Sequence, residues 1–255
     1  MKFLDVKSIV GTIPHMTPSQ GELIYNMILD NDIFDILELG MAHGTGSCYM
    51  AAALHEKAKG SVITIDTQRA LLRKPDIFEL LKKCDLESYV SPVFADSSYN
   101  WELMKLIKQQ TKDGFCEPLF DFCFLDGAHN FEIDNSAFFL VDKLLKPGGF
   151  ILFDDVNWTY AISAGLKDTE WVKNMSEDEK TTPHIKTLVE LIVMGHPNYT
   201  DFQFQENWFL TRKKSNSKQE NQTPVLLEKY KPHTSIAQDS KALLRKVAKK
   251  LLGRG

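Results

Sequence analysis

The chain has 255 residues, an apolar share of 43% and a formal net charge of −4, the profile of an ordinary soluble globule with one core. From Arg212 onward it carries 12 Lys or Arg against 3 Asp or Glu, so the preceding body is acidic, which argues against nucleic acid as its partner. Cys48, Cys84, Cys116 and Cys123 form no CxxC pair, so neither a disulfide framework nor a zinc site is indicated. The opening MKFLDVKSIV lacks the long apolar region and cleavage site of a signal peptide, and no stretch is apolar for the length of a membrane span. The expectation is a cytoplasmic protein.

Thr17-Pro18-Ser19-Gln20 is a capping box with proline at the first helical position, so a helix is predicted through Leu29, with Leu23, Ile24, Met27 and Ile28 on one face. The preceding Gly11 to Met16, GTIPHM, reads as a turn able to lie over a site. Phe34 to Leu39 reads as a strand, followed by a turn bearing Gly40, Gly44 and Gly46 and by a helix over 47–58. Further strands are predicted at 61–66, 90–95, 120–126 and 150–153. Helices fall near 76–83, 99–110 and 130–145, and Lys146-Pro147-Gly148-Gly149 forms a tight turn. Repeated strand–helix units imply an α/β fold, a doubly wound and mostly parallel sheet with helices on both faces. Residues 159–180 read as a loop with a short helix, 183–194 as a helix, and Phe202 to Gln205 with Trp208 to Thr211 as an antiparallel closing pair. One domain over 1–212 is expected, then a basic linker and amphipathic helix over 213–255.

Four predicted strands end in an acid, Glu38, Asp66, Asp96 and Asp126, and in a parallel sheet these ends lie on one edge beside the glycine turn. A turn of this kind opening a helix suits a nucleotide, and Asp66 is placed like an acid that accepts from ribose hydroxyls. GMAHGTG does not fit G-x-G-x-x-G, so an adenosyl group is favoured over a pyrophosphate cofactor. Asp96, before SSYN, also suits a helix cap. His43 reads as a spacer within the turn.

Glu38-x-Gly40-x-x-x-Gly44, Asp66, Asp96-Ser97, Asp126-Gly127-Ala128-His129 and the Lys146 to Gly149 turn together resemble the class I S-adenosylmethionine-dependent methyltransferases, over most of residues 10 to 212. The form of the Asp126 and Asp154-Asp155 segments is similar to metal-dependent sugar O-methyltransferases of the macrocin and novobiocin type, with catechol-type enzymes more distant. The resemblance implies a Rossmann-like fold. It implies that Glu38, Gly40, Gly44, Gly46 and Ser47 surround the methionine end of the cofactor, Asp66 its ribose, and Asp96 with Ser97 its adenine, with Asp126 also on the cofactor. Relatives often carry serine where this chain has Gly46. Asp126, Asp154 and Asp155 would hold Mg2+, a hard ion suited to carboxylates, although a double acid after a strand also occurs in solvated loops. His129, with Asp126 beside it, would be the catalytic base, since an imidazole of pKa about 6.5 removes a proton near neutrality; the alternative is a hydrogen-bond partner at the helix start. Asn157 would orient substrate or metal water. Trp158 and Tyr160 suit either an acceptor pocket or the core.

The function implied is methyl transfer from S-adenosylmethionine to a hydroxyl of a small polar acceptor such as a sugar or glycoside, assisted by Mg2+. A metal-independent N- or O-methyltransferase is the second reading, and a non-catalytic adenosyl-binding scaffold recruited by its basic tail the third. The helix over 241–252 can meet an anionic membrane surface, a partner or the acidic body. The oligomeric state stays open, a homodimer included.

Overall fold

A computed structural model describes residues 1–215, which fall within one compact unit. The linker and basic helix expected over 213–255 lie, apart from the first three residues, outside the described residues. Seven strands form one sheet: β1 (Asp35–Leu39), β2 (Ser61–Thr67), β3 (Val90–Ala95), β4 (Phe120–Leu125), β5 (Leu145–Phe153), β6 (Tyr199–Gln205) and β7 (Trp208–Lys213). Their order across the sheet is β3-β2-β1-β4-β5-β7-β6. The first five are parallel, and β7 and β6 close the edge antiparallel. The winding reverses between β1 and β4, the position at which such sheets open a crevice for a ligand.

Alternation along the strands divides the core between the two faces. Ile36, Val62, Phe122, Phe124 and Leu152 point to one face, where they pack under α1 (Phe3–Val10), α2 (Pro18–Asp30), α3 (Thr45–Glu56) and α4 (Ile77–Lys83). Leu37, Ile65, Cys123, Leu125 and Ile151 point to the other, under α5 (Tyr99–Gln110), α6 (Phe131–Leu144) and α9 (His184–Leu188). Both faces are therefore dry, which is why the strands read as continuous apolar runs rather than alternating ones. Two short helices, α7 (Glu170–Lys173) and α8 (Glu177–Thr181), punctuate the loop before α9. Among the described residues no helix is long and apolar enough to cross a membrane.

Several details depart from the sequence expectation. The Thr17–Gln20 box caps α2 as predicted, yet the buried face is Gly21, Ile24, Tyr25 and Ile28, and Leu23 is 41% exposed. Gly21 turns that face, because its missing side chain lets the Tyr49 ring of α3 lie directly against α2. The Lys146–Gly149 turn is an excursion inside β5: Phe120 pairs with Leu145 and Phe122 with Phe150, so one residue of β4 faces four of β5, with Gly148 at φ +84. Lys146 anchors the excursion through Asp35 at 2.7 Å and Asp121 at 2.9 Å. The helix expected over 183–194 is α9 followed by a π turn over Val189–Val193, closed by Met194 N donating to Val189 O at 2.9 Å. Helix α1 and a small hairpin, Thr111–Lys112 with Phe115–Cys116, were not expected at all.

Candidate active site

The sheet ladder continues past its strands and fixes where the acids stand. Gly40 N donates to Ile65 O, Asp126 N to Leu39 O and Asp154 N to Leu125 O, at 2.9, 2.9 and 3.0 Å. The residues following β1, β4 and β5 are thus side by side at one edge, facing a cavity of about 1000 Å3. Its walls include Gly40, Ala42, Asp66, Ser97, Tyr99 and the 126–129 segment, then Asp154, Asp155 and Trp158, with the Gly11–Met16 turn packed against the glycine turn through His15 on His43.

The glycines are demanded by the protein itself. Gly40 and Gly44 both sit at φ +92; a Cβ on Gly40 would overlap the Asp126 carbonyl, and one on Gly44 would come within 2.6 Å of Ile77. Gly46 leaves room for Glu38, whose Oε1 would be 2.7 Å from a Cβ there, so a serine at this position would require the buried carboxylate to shift. Ser47 Oγ donates to the other oxygen, Oε2, and so supplies the hydroxyl contact from one residue further on.

Glu38 is 1% exposed. Burial above all, with the nearby Asp66 charge, pushes its pKa from 4.5 to about 7, against the opposing pull of the Ser47 and Thr64 hydroxyls. A carboxyl whose folded pKa exceeds its unfolded value holds a proton in the folded state that the unfolded chain has already lost. Its contribution is fully present below about pH 4.5 and is lost as pH rises to about 7. Glu38→Gln should therefore gain stability relative to the parent between pH 5 and 8 by roughly 3 kcal/mol, read from denaturant unfolding at each pH. A pH-independent difference would contradict the buried, protonated state.

Asp66 occupies the end of β2 as expected, but it binds the turn. Its Oδ2 accepts from Met41 N and Ala42 N, each at 3.0 Å, and its Oδ1 from Thr67 N at 2.6 Å. A ribose would share oxygens already accepting three amides, and the amides of Met41 and Ala42 are spent on Asp66 rather than left free for a ligand. Asp96 is exposed and accepts from Gln68 Nε2 at 3.1 Å; of the predicted adenine pair, Ser97 is on the cavity wall and Asp96 is not. His43 is buried, with Nδ1 donating to Pro75 O at 2.7 Å, a structural contact.

Asp126, Asp154, Asp155 and His129 come together. His129 Nε2 is 3.7 Å from Asp126 Oδ1 and 3.5 Å from Asp155 Oδ2, and its ring is 5.3 Å from that of Trp158. It does not cap α6; Asn130 does, its side chain accepting from Glu132 N and Ile133 N. Burial, then Asp154 and Asp155, push Asp126 up, and burial with Asp155 pushes Asp154 to about 6. Donors behind hold the pair: Trp208 Nε1 donates to Asp154 Oδ1 at 2.5 Å and Asn207 Nδ2 to Asp155 Oδ1 at 2.6 Å. The donor set is that of a hard ion, three carboxylates that all line the cavity. Its convergence is not that of a ligand sphere, since no group of three His, Cys, Asp or Glu among the described residues could hold a metal as the side chains stand. Asn157 departs from expectation, being tied to the β6–β7 turn through Asn207 Oδ1 and Glu206 O. Tyr160 is core, 1% exposed against Trp171 and His184, whereas Trp158 is half-buried on the cavity wall.

Sequence reasoning missed two groups. Tyr99 and Asp134 form a buried pair beneath the 126–130 segment, and His15 with Arg73 lines the cavity beside the glycine turn. No motif announces either, because each pairs residues more than thirty positions apart.

Residues 37–156 match the model of a family described as a methyltransferase domain. No curated protein matches the chain. Among solved structures, an O-methyltransferase from Bacillus cereus in complex with SAH is 20% identical, with a TM-score of 0.57 over 83% of this chain and 89% of its own. TomG, an O-methyltransferase from Streptomyces achromogenes in complex with SAM, is 16% identical, with a TM-score of 0.54 over 83% and 89%. MycE, a methyltransferase of the mycinamycin biosynthetic pathway in complex with Mg and SAH, is 15% identical, with a TM-score of 0.51 over 84% of this chain and 56% of its own. Those likenesses carry the fold, and the family match lies on the strands and turns that build the cavity. Residues 37–156 are thus similar to a methyltransferase domain, and the chain shares the fold of the SAH- and SAM-bound methyltransferases just named.

Proposed function

We propose that this domain transfers the methyl group of S-adenosylmethionine to a hydroxyl oxygen of a small polar acceptor, with a sugar hydroxyl as the first candidate. The observation that carries the reading is the position of His129: a basic nitrogen held 3.5 to 3.7 Å from two carboxylates, on the wall shared with the glycine turn. Two of the similar structures are O-methyltransferases by name, which supports oxygen as the accepting atom.

The chemistry asked of the side chains is modest. The acceptor oxygen attacks the methyl carbon as the carbon–sulfur bond breaks with its electron pair going to sulfur, and the hydroxyl proton passes to His129 Nε2. Asp126 and Asp155 then stabilise the imidazolium, which a dry cavity alone would disfavour. Alignment of oxygen, carbon and sulfur falls to the walls, Trp158 and the Gly11–Met16 turn among them. By donor chemistry Asp126, Asp154 and Asp155 are the residues that would hold Mg2+ once their side chains turned toward one another, MycE being solved in complex with Mg, and the ion would lower the pKa of a hydroxyl it touched.

A metal-independent transferase is favoured by a different observation: Asp154 and Asp155 each have one oxygen committed to Trp208 or Asn207, and the histidine occupies the space between Asp126 and Asp155. A panel of sugar and phenolic acceptors with labelled cofactor, run in excess chelator and again with Mg2+ restored, separates the two. The proposal expects label on a sugar oxygen, lost in chelator and recovered with Mg2+. Label transferred equally in chelator would remove the ion, and no transfer to any hydroxyl would remove the O-methyl reading.

A further inference from the structure

The main cavity is unevenly charged. Asp66, Asp126, Asp154 and Asp155 line it, while Arg73 supplies the one arginine or lysine among the described lining residues. In an acid-rich cavity a guanidinium would be expected to pair with a carboxylate, but Arg73 does not. Its Nη1 donates to His15 Nε2 at 3.0 Å, and among the described residues it forms no ion pair.

His15 is placed for this contact by the backbone. It sits at φ +79 in the turn between α1 and α2 and stacks on His43 of the glycine turn, with ring centroids 5.6 Å apart. His43 in turn donates to the carbonyl of Pro75, two residues after Arg73. The Arg73–Pro75 segment and the N-terminal turn are thus tied together across the glycine turn. A guanidinium has no lone pair to offer, so Nε2 must be the acceptor, and the His15 ring is neutral with its proton on Nδ1. Burial first, then Arg73 and His43, lower the His15 pKa and agree with that state. Only one of the five N–H donors of Arg73 is engaged by this contact, and the fork is half-buried and oriented before any ligand arrives.

We propose that Arg73, oriented by His15, is an anion-binding position of the cavity that takes a carboxylate or phosphate. An oxyanion entering among four acids needs a fixed positive partner, and a planar fork with free donors matches a two-oxygen group in a way that a point charge would not. Two ligands could bring that group: the methionine carboxylate of the cofactor, or an anionic substituent on the acceptor. Naming those two sources rests on the methyl-transfer reading; the anion site itself does not.

The test is calorimetric titration of the full chain and its Arg73→Gln and Arg73→Lys variants, with melting temperatures confirming that each variant is folded. Three probes are used: S-adenosylhomocysteine, 5′-methylthioadenosine (which lacks the amino-acid carboxylate), and inorganic phosphate added to protein saturated with S-adenosylhomocysteine. Arg73→Gln should weaken one anion roughly tenfold to hundredfold, and Arg73→Lys by less, because the charge survives without the fork. Weaker S-adenosylhomocysteine with unchanged 5′-methylthioadenosine assigns the site to the cofactor carboxylate. Unchanged S-adenosylhomocysteine with loss of phosphate binding assigns it to the acceptor. Equal weakening of both adenosyl ligands, or no change with any probe, overturns the proposal. Failure of the parent protein to bind S-adenosylhomocysteine would instead count against the methyl-transfer reading, and phosphate added to the unsaturated protein would then decide the role of Arg73.

Discussion

Replacing His129 with asparagine is expected to lower the turnover number by about 10²- to 10⁴-fold, the range for loss of a positioned general base, with S-adenosylhomocysteine affinity within a few-fold of the parent. Asparagine is the informative choice because His129 occupies φ +51, a conformation that asparagine tolerates and alanine resists. His129→Ala would add a backbone penalty of roughly 1 kcal/mol and blur the reading. The imidazole contacts Asp126, Asp155 and Trp158 and none of Glu38, Gly40, Gly44, Gly46 or Ser47, so the methionine side of the cavity should not respond. Single-turnover transfer of labelled methyl, beside a binding titration, checks both halves. A variant that loses cofactor affinity and turnover together would make His129 a structural residue.

How much of this site could be read in advance depended on sequence distance. The strands carrying Ile36-Leu37, Phe122 to Leu125 and Ile151 to Phe153 were legible because they are buried on both faces and leave an uninterrupted apolar signature. The Thr17–Gln20 cap was legible because both of its hydrogen bonds lie within four residues. Gly46 looked like a departure from pattern, and only the packing of the Glu38 carboxylate over it shows what a side chain there would displace. Asp66 was correctly placed at its strand end while its partners were not, since the amides of Met41 and Ala42 reach it from a different loop. Asp96, Asn157 and Arg73 are resolved only by contacts 28, 50 and 58 residues away. No local composition encodes such distances.

The contact with the widest consequences is also of this long-range kind. Tyr99 OH donates to Asp134 Oδ1, and the same hydroxyl accepts from Ala128 N at 3.2 Å; Asp134 Oδ2 accepts from Asn130 N at 2.9 Å. Asp134 is fully buried and Tyr99 nearly so. Burial raises the pKa of both, against the hydrogen bond from Tyr99 in the case of Asp134. Two side chains therefore support the backbone on either side of His129, which is held in a left-handed conformation between them. Asp134→Ala would leave the hydroxyl and the Asn130 amide without their acceptor and open a void, a loss of about 3 to 5 kcal/mol. Tyr99→Phe keeps the ring but leaves a buried carboxylate short of its donor and Ala128 N without an acceptor, at about 2 to 4 kcal/mol. The double variant should be less destabilised than the two losses added, because each single change strands a partner that the other removes. Equilibrium denaturation of the four proteins measures that coupling, and additive losses would show that the pair does not act as a unit. Turnover gives the functional half of the experiment. If Tyr99 and Asp134 position His129, Tyr99→Phe should lower the turnover number even at temperatures where the variant is fully folded, while Glu38 and the glycine turn keep their ligand affinity.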